Sequence, residues 1–203
     1  MLGWLLILTQ PGYVQEVGPA EKIRDISPDK KFAMRILYDA EENKQLIEGE
    51  KADSEKIFSE TIKSIELISL PDKKVVANLL PEEELGGGNN YDNITLIWSN
   101  DSKWCAFYWS FPRIGYTTVS KQRSDKFVEL NKPEELMVAV KGDVRNEYIR
   151  PIKWVKPGVL LLEQFDIFRG GESEDATYQF TAKFDDKSGK FQVISKKKVS
   201  SKE

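Results

Sequence analysis

With 203 residues, 40% of them hydrophobic and 31% charged, the chain has the balance of a globular protein able to bury one good core or two small ones. A net charge of -3 offers no global attraction to nucleic acid or to an anionic membrane, so nucleic-acid binding is not expected. There is no histidine and Cys105 is the only cysteine, which excludes Ser-His-Asp and Cys-His nucleophiles, histidine-ligated metals, an intrachain disulfide and any cysteine-cluster site. No cofactor and no metal are expected.

The chain starts with a short apolar run, Leu-Gly-Trp-Leu-Leu-Ile-Leu over residues 2–8. It falls far short of the roughly 20 residues that span a bilayer, so no integral membrane span is expected. Its length suits the apolar part of a secretory signal, although no basic segment precedes it and no Ala-x-Ala site follows. Two readings are open. Residues 1–20 are a signal segment truncated at its start, making the protein exported (periplasmic or secreted), or they are an edge strand on the body of a cytoplasmic one.

Further along, four turns share a composition: Pro28-Asp29-Lys30-Lys31, Pro71-Asp72-Lys73-Lys74, Asn100-Asp101-Ser102-Lys103 and Asp185-Asp186-Lys187-Ser188-Gly189-Lys190. Asp and Asn side chains bond to their own backbone, and Pro and Gly preset turn dihedrals, so each marks a hairpin between β-rich runs. Val155-Lys156-Pro157-Gly158 is a fifth, weaker signal. Strands are expected at residues 32–39, 62–70 and 75–80; at 93–99, 104–111, 116–121 and 126–130; and at 149–155, 159–167, 177–184 and 190–195. They group into three units, about 21–80, 91–131 and 149–199, of a length that implies faces buried only against neighbours. Between the last two units, Asn131 could cap a helix that Pro133, Glu134 and Glu135 suit, and Leu136, Val140, Val144 and Tyr148 recur every four residues. A short or broken helix is expected over about 133–148, covering a sheet edge. Residues 40–55, 81–90 and 170–175 read as exposed loops, and Lys196-Lys197-Lys198 with Lys202 as a frayed tail.

The segments Ile26-Ser27-Pro28-Asp29-Lys30-Lys31-Phe32-Ala33 and Trp98-Ser99-Asn100-Asp101-Ser102-Lys103-Trp104-Cys105-Ala106-Phe107 resemble the Ser-Pro-Asp-Gly-Lys-type turn between the first two strands of a β-propeller blade. That turn is typical of Tol-system periplasmic propellers and of prolyl oligopeptidase propeller domains. The hairpins at 65–75 and 184–191 resemble the one between a blade's third and fourth strands. The resemblance covers most of residues 21–199, with Lys30 and Ser102 standing where the turn usually has Gly. It implies an all-β protein of about three propeller-like antiparallel blades with one short helix. Closed propellers use roughly four to eight blades, so an open or partial propeller is expected.

Chemistry-bearing candidates are few. The Gly86-Gly87-Gly88 run lacks the spacing of a phosphate loop and reads as a linker. Asp29, Asp72, Asp101 and Asp186 recur at equivalent turns and read as local Asx bonding rather than as acid/base or calcium sites. Asn93-Ile94-Thr95 matches the glycosylation acceptor pattern by chance, and Cys105 reads as a small buried hydrophobe. The aromatic cluster around 98–116 is expected mainly as core, because strand 104–111 is apolar on both faces, as a strand between two packed layers is. Within it, Trp109, Arg113 and Tyr116 are the candidate binding residues for a sugar or peptide groove. The expected function is a non-enzymatic binding or interaction module, of a bacterial envelope, for a protein, peptide or carbohydrate ligand. The alternatives are a carboxylate-based hydrolase or lyase, and a partial-propeller subunit completed as a homo-oligomer.

Overall fold

Local turn chemistry builds the first repeated element. In the computed structural model, which describes residues 20–39, 62–80, 93–170 and 175–199, Ser27 and Ser99 open two turns bonded alike. The Ser27 hydroxyl donates to Asp29 (2.7 Å) and accepts from the Phe32 N–H (3.0 Å), while Asp29 takes the Lys31 N–H (3.1 Å). Ser99 donates to Asp101 (2.6 Å) and accepts from the Trp104 N–H (3.1 Å), while Asp101 takes the Lys103 N–H (3.1 Å). Lys30 and Ser102 sit at φ 61° and 58°, the left-handed region where a side chain costs roughly 1–2 kcal/mol. The two turns also touch, because the Asp29 N–H donates to the buried Ser102 hydroxyl (3.0 Å). Burial alone would raise the Asp29 carboxyl, but bonds from Ser27, the Lys31 N–H and Ser102 outweigh it and hold the group below its ordinary value. The fourth turn corrects one expectation. Asp185, not Asp186, takes the local bonds, from the Lys187 N–H (3.1 Å) and the Ser188 hydroxyl (2.8 Å), and Asp186 pairs with Lys121 (3.2 Å).

The described residues form twelve strands: β1 Ala20–Arg24, β2 Phe32–Tyr38, β3 Ile62–Ser69, β4 Val75–Leu80, β5 Asn93–Trp98, β6 Trp104–Ser110, β7 Ile114–Arg123, β8 Lys126–Glu129, β9 Val144–Lys156, β10 Val159–Phe168, β11 Ala176–Asp185 and β12 Lys190–Val199. The protein is all-β. Strands β1–β4 form one antiparallel sheet in chain order; β5–β8 and β9–β12 are two more antiparallel meanders in a second sheet. Only two residue pairs, Ile114 with Glu147 and Gly115 with Tyr148, join β7 to β9 in parallel. Strand β1 is the one the sequence pattern misses, since three of its five residues are charged.

The three meanders bury two cores. Phe32, Met34, Ile36, Ile65, Leu67 and Leu80 of the first meander pack with Leu96, Cys105, Phe107 and Phe127 of the second. Trp104, Ala106 and Val119 of the second pack with Ile149, Leu160, Leu162, Phe180 and Phe184 of the third. Alternation along β6 therefore sends Cys105 and Phe107 to one core and Trp104 and Ala106 to the other, which explains its apolar sequence on both faces. Cys105 is fully buried, and that burial pushes its thiol up.

The expected helix over 133–148 does not form. A single 3-10 turn spans Pro133–Glu135, and Val144–Tyr148 already belongs to β9. Asn131 caps no helix; its amide is sunk into β7, accepting the Val119 N–H (2.8 Å) and donating to the Thr117 carbonyl (3.2 Å). In the segment that follows, Leu136 and Val138, two apart, enter the second core. Lys196, Lys197 and Lys198 are likewise not a frayed tail but lie in β12, where Lys196 reaches the Ala139 carbonyl (3.1 Å) and the Tyr178 ring (4.6 Å). Residues 40–55, 81–90 and 200–203 lie outside the described residues, as do residues 1–19 and most of the 170–175 tip.

Candidate functional site

The three residues singled out from sequence lie at the end of the β6–β7 hairpin. The Trp109 and Tyr116 rings meet edge to face at 5.9 Å, and Phe111 closes on Trp109 at 4.9 Å. Both Trp109 and Tyr116 are half-buried against the cores, while Arg113 is exposed on the turn between them and its carbonyl accepts the Glu147 N–H (3.0 Å). Burial, with Glu147 and Glu134 nearby, pushes the Tyr116 phenol up.

A groove opens elsewhere, between the second and third meanders. Its volume is about 440 Å³, within the usual range for small-ligand sites. Strand pairing builds one wall: Glu163 of β10 stands between Arg150 of β9 and Gln179 of β11, and Phe165 stands between Tyr148 and Thr177. Tyr108 and Ser110 of β6 form the opposite wall. Gly115 lets these walls approach, since a Cβ there would come within 2.5 Å of the Tyr108 hydroxyl, 2.8 Å of Ser110 Cβ and 3.0 Å of Tyr148 Cδ1. A smaller lobe of about 160 Å³ adjoins, lined by Thr95 and Pro151 and sharing Tyr108 and Arg150 with the first.

The groove's polar groups are held in place. Arg150 donates to Glu163 Oε1 through Nε (2.9 Å) and Nη2, and Gln179 reaches the other carboxylate oxygen (3.3 Å). Tyr148 donates to the Pro112 carbonyl (2.6 Å), accepts from the Asn146 amide (3.2 Å), and stacks on Phe165 with centroids 6.4 Å apart. Sequence reasoning missed this set. The Pro157-Gly158 turn marks the hairpin that carries Arg150 and Glu163, but two register shifts beyond it set these two side chains opposite each other.

On its other face, β10 carries a buried polar cluster at the end of the second core. Gln164 and Asp166 have no exposed surface. The Gln164 amide clasps the segment after the 3-10 turn, accepting the Val138 N–H (2.8 Å) and donating to the Val138 carbonyl (3.1 Å). It also donates to both Asp166 oxygens (3.2 and 3.0 Å). Burial raises the Asp166 carboxyl against the opposing pull of Gln164 and Lys196. Glu147, its partner across the strands, is raised by burial and then by Asp166 itself. Neighbouring carboxylates shifted upward are the mark of acid/base sites. Asp166 has no exposed surface, whereas Glu147 is half-buried.

Among the described residues no group of three ligating side chains could hold a metal ion, and no helix is long and apolar enough to cross a membrane. No protein-family model matches the chain, and no curated protein matches it.

Proposed function

We propose that this protein is a non-enzymatic binding module that takes its ligand in the groove between the second and third meanders. The observation that carries the reading is the groove's preorganised lining: a fixed Arg150–Glu163 pair set among Tyr108, Tyr148 and Phe165. Rings and anchored polar groups that need no rearrangement bind without a large ordering cost. Glu163 is the one carboxylate among the described lining residues, and Arg150 occupies it, so no second carboxylate faces it for acid/base work. We read the three stacked meanders as propeller-like blades, on the strength of the matched Ser27 and Ser99 turns. The apolar run at residues 2–8 supports placing the module in a bacterial envelope.

An NMR screen of the intact chain against mixed saccharides, peptides and phosphate compounds tests the reading. Ligands should shift resonances of Tyr108, Tyr148 and Arg150 and be recovered unchanged. Hits that map elsewhere, or a ligand converted to product, would overturn it.

A further inference from the structure

We infer that the groove selects a short, uncharged oligosaccharide. This rests on the reading of the groove as a binding site and narrows its ligand by four observations.

Charge comes first. Among the described lining residues the one cation, Arg150, is paired with Glu163, so these residues carry no net charge to favour a phosphate or another anion. Hydrogen-bonding character comes second. Thr95, Tyr108, Ser110 and Thr177 line the two lobes with hydroxyls, a group that both donates and accepts, while the Tyr148 proton goes to the Pro112 carbonyl. Beside them, guanidinium and carboxylate present a donor and an acceptor side by side, which matches two neighbouring sugar hydroxyls, one accepting and one donating. Third, Phe165 is half-buried and offers a flat apolar surface. The slightly positive C–H bonds of a sugar ring rest favourably on such a face, whose quadrupole is negative.

The fourth observation separates a saccharide from an extended peptide. A peptide binding beside a sheet gains most by adding a strand to an open edge. Strand β5, the edge bordering the smaller lobe, has two of its backbone groups taken by side chains. Arg24 donates to the Ile94 carbonyl (2.7 Å), and Asp25 takes the Leu96 N–H (3.3 Å). Strand addition at these two positions is therefore hindered, and the described lining offers side chains instead. Tyr108 and Arg150 border both lobes, so a ligand of two or more linked rings can cross between them.

The test is titration of the intact chain, followed by NMR and calorimetry, with neutral di- to tetrasaccharides of glucose, galactose and N-acetylglucosamine. A phosphorylated sugar and an uncharged extended peptide serve as comparisons. At least one neutral saccharide should saturate the groove resonances at millimolar concentration or below. Arg150→Ala should weaken it at least tenfold, and Thr177→Val, which keeps side-chain shape, should weaken it severalfold with an unchanged thermal midpoint. Lys103→Ala, on a remote turn, should leave it unaltered. If the peptide or the phosphorylated sugar occupies the groove and no neutral saccharide does, the inference fails while groove binding stands. If nothing occupies the groove, both fail.

Discussion

Strand β10 places one carboxylate on each of its faces, and the two are handled in opposite ways. Asp166 lies on the face shared with Leu160 and Leu162, has no exposed surface, and is met by a neutral amide. Glu163 lies on the groove face and is met by a guanidinium whose side chain is 64% exposed. A charge kept near water can be paired cheaply and used for recognition. A carboxylate sealed in the core is costly when ionised, and its value lies in orienting Gln164, which in turn holds the segment at Val138.

Breaking the buried side should therefore have the largest effect. Gln164→Leu keeps the volume but strips partners from the Val138 N–H and carbonyl and takes the amide donor away from the buried Asp166. A loss of about 3 kcal/mol or more is expected in chemical denaturation. The double variant Gln164→Leu/Asp166→Leu should recover part of it, because the isolated charge goes too. A single-variant loss under about 1 kcal/mol would mean that the amide clasp does not secure the segment.

Gly115→Ala attacks the junction between the two regions. Its new methyl would lie 2.5 Å from the Tyr108 hydroxyl, so one groove wall must shift. About 1–3 kcal/mol of stability should be lost, together with groove binding. Retained ligand affinity would show that the close approach of the walls is not what shapes the site.

Asp166→Asn tests the cost of the buried charge and has a definite pH signature. The folded-state pKa of Asp166 lies above its unfolded value of about 3.9. Between the two values the folded chain keeps a proton that the unfolded chain has lost, so stability falls as pH rises through that window. The Asn variant does not titrate there. Its thermal midpoint should match the parent near pH 4 and exceed it at pH 7 by a few degrees, on the order of 1 kcal/mol. Glu147 should also return towards its ordinary value, because one of the causes raising it is removed. A gain that is the same at both pH values would refute the sealed-charge account.

The strands were legible because turn chemistry is local: Ser27 with Asp29 and Ser99 with Asp101 set their hairpins within a few residues. The two-sided apolar pattern of β6 likewise announced a layer packed on both sides. The helix over 133–148 failed because a four-residue recurrence, Leu136 to Tyr148, outweighed the two-residue one of Leu136 and Val138 that the core uses. Asn131 misled as a cap because its true partners, the Val119 N–H and Thr117 carbonyl, belong to another strand. The groove was only half legible. The Pro157-Gly158 turn joins the strands of Arg150 and Glu163, but two register shifts, which the sequence does not mark, put Glu163 opposite Arg150 rather than Ile152, and Tyr108 joins them through the two-pair contact of β7 with β9, which leaves no mark in the sequence either. The aromatic–arginine pattern pointed instead to Trp109, Arg113 and Tyr116, and the fold joins the two rings to each other.

The smallest stability effect belongs to the groove pair itself. Arg150 is largely exposed, and exposed ion pairs are worth about 0–1 kcal/mol because water and side-chain entropy offset the attraction. Arg150→Ala and Glu163→Gln should each move the thermal midpoint by no more than a few degrees, and their effects should fall further in high salt. On the proposed binding role, binding should respond far more strongly than stability, since the pair would hold donor and acceptor in register for a ligand. Equal losses in both would mean that Arg150 and Glu163 serve the fold, as Gln164 and Asp166 do. A binding loss with an unchanged midpoint would confirm that one strand holds a structural carboxylate on one face and a recognition carboxylate on the other.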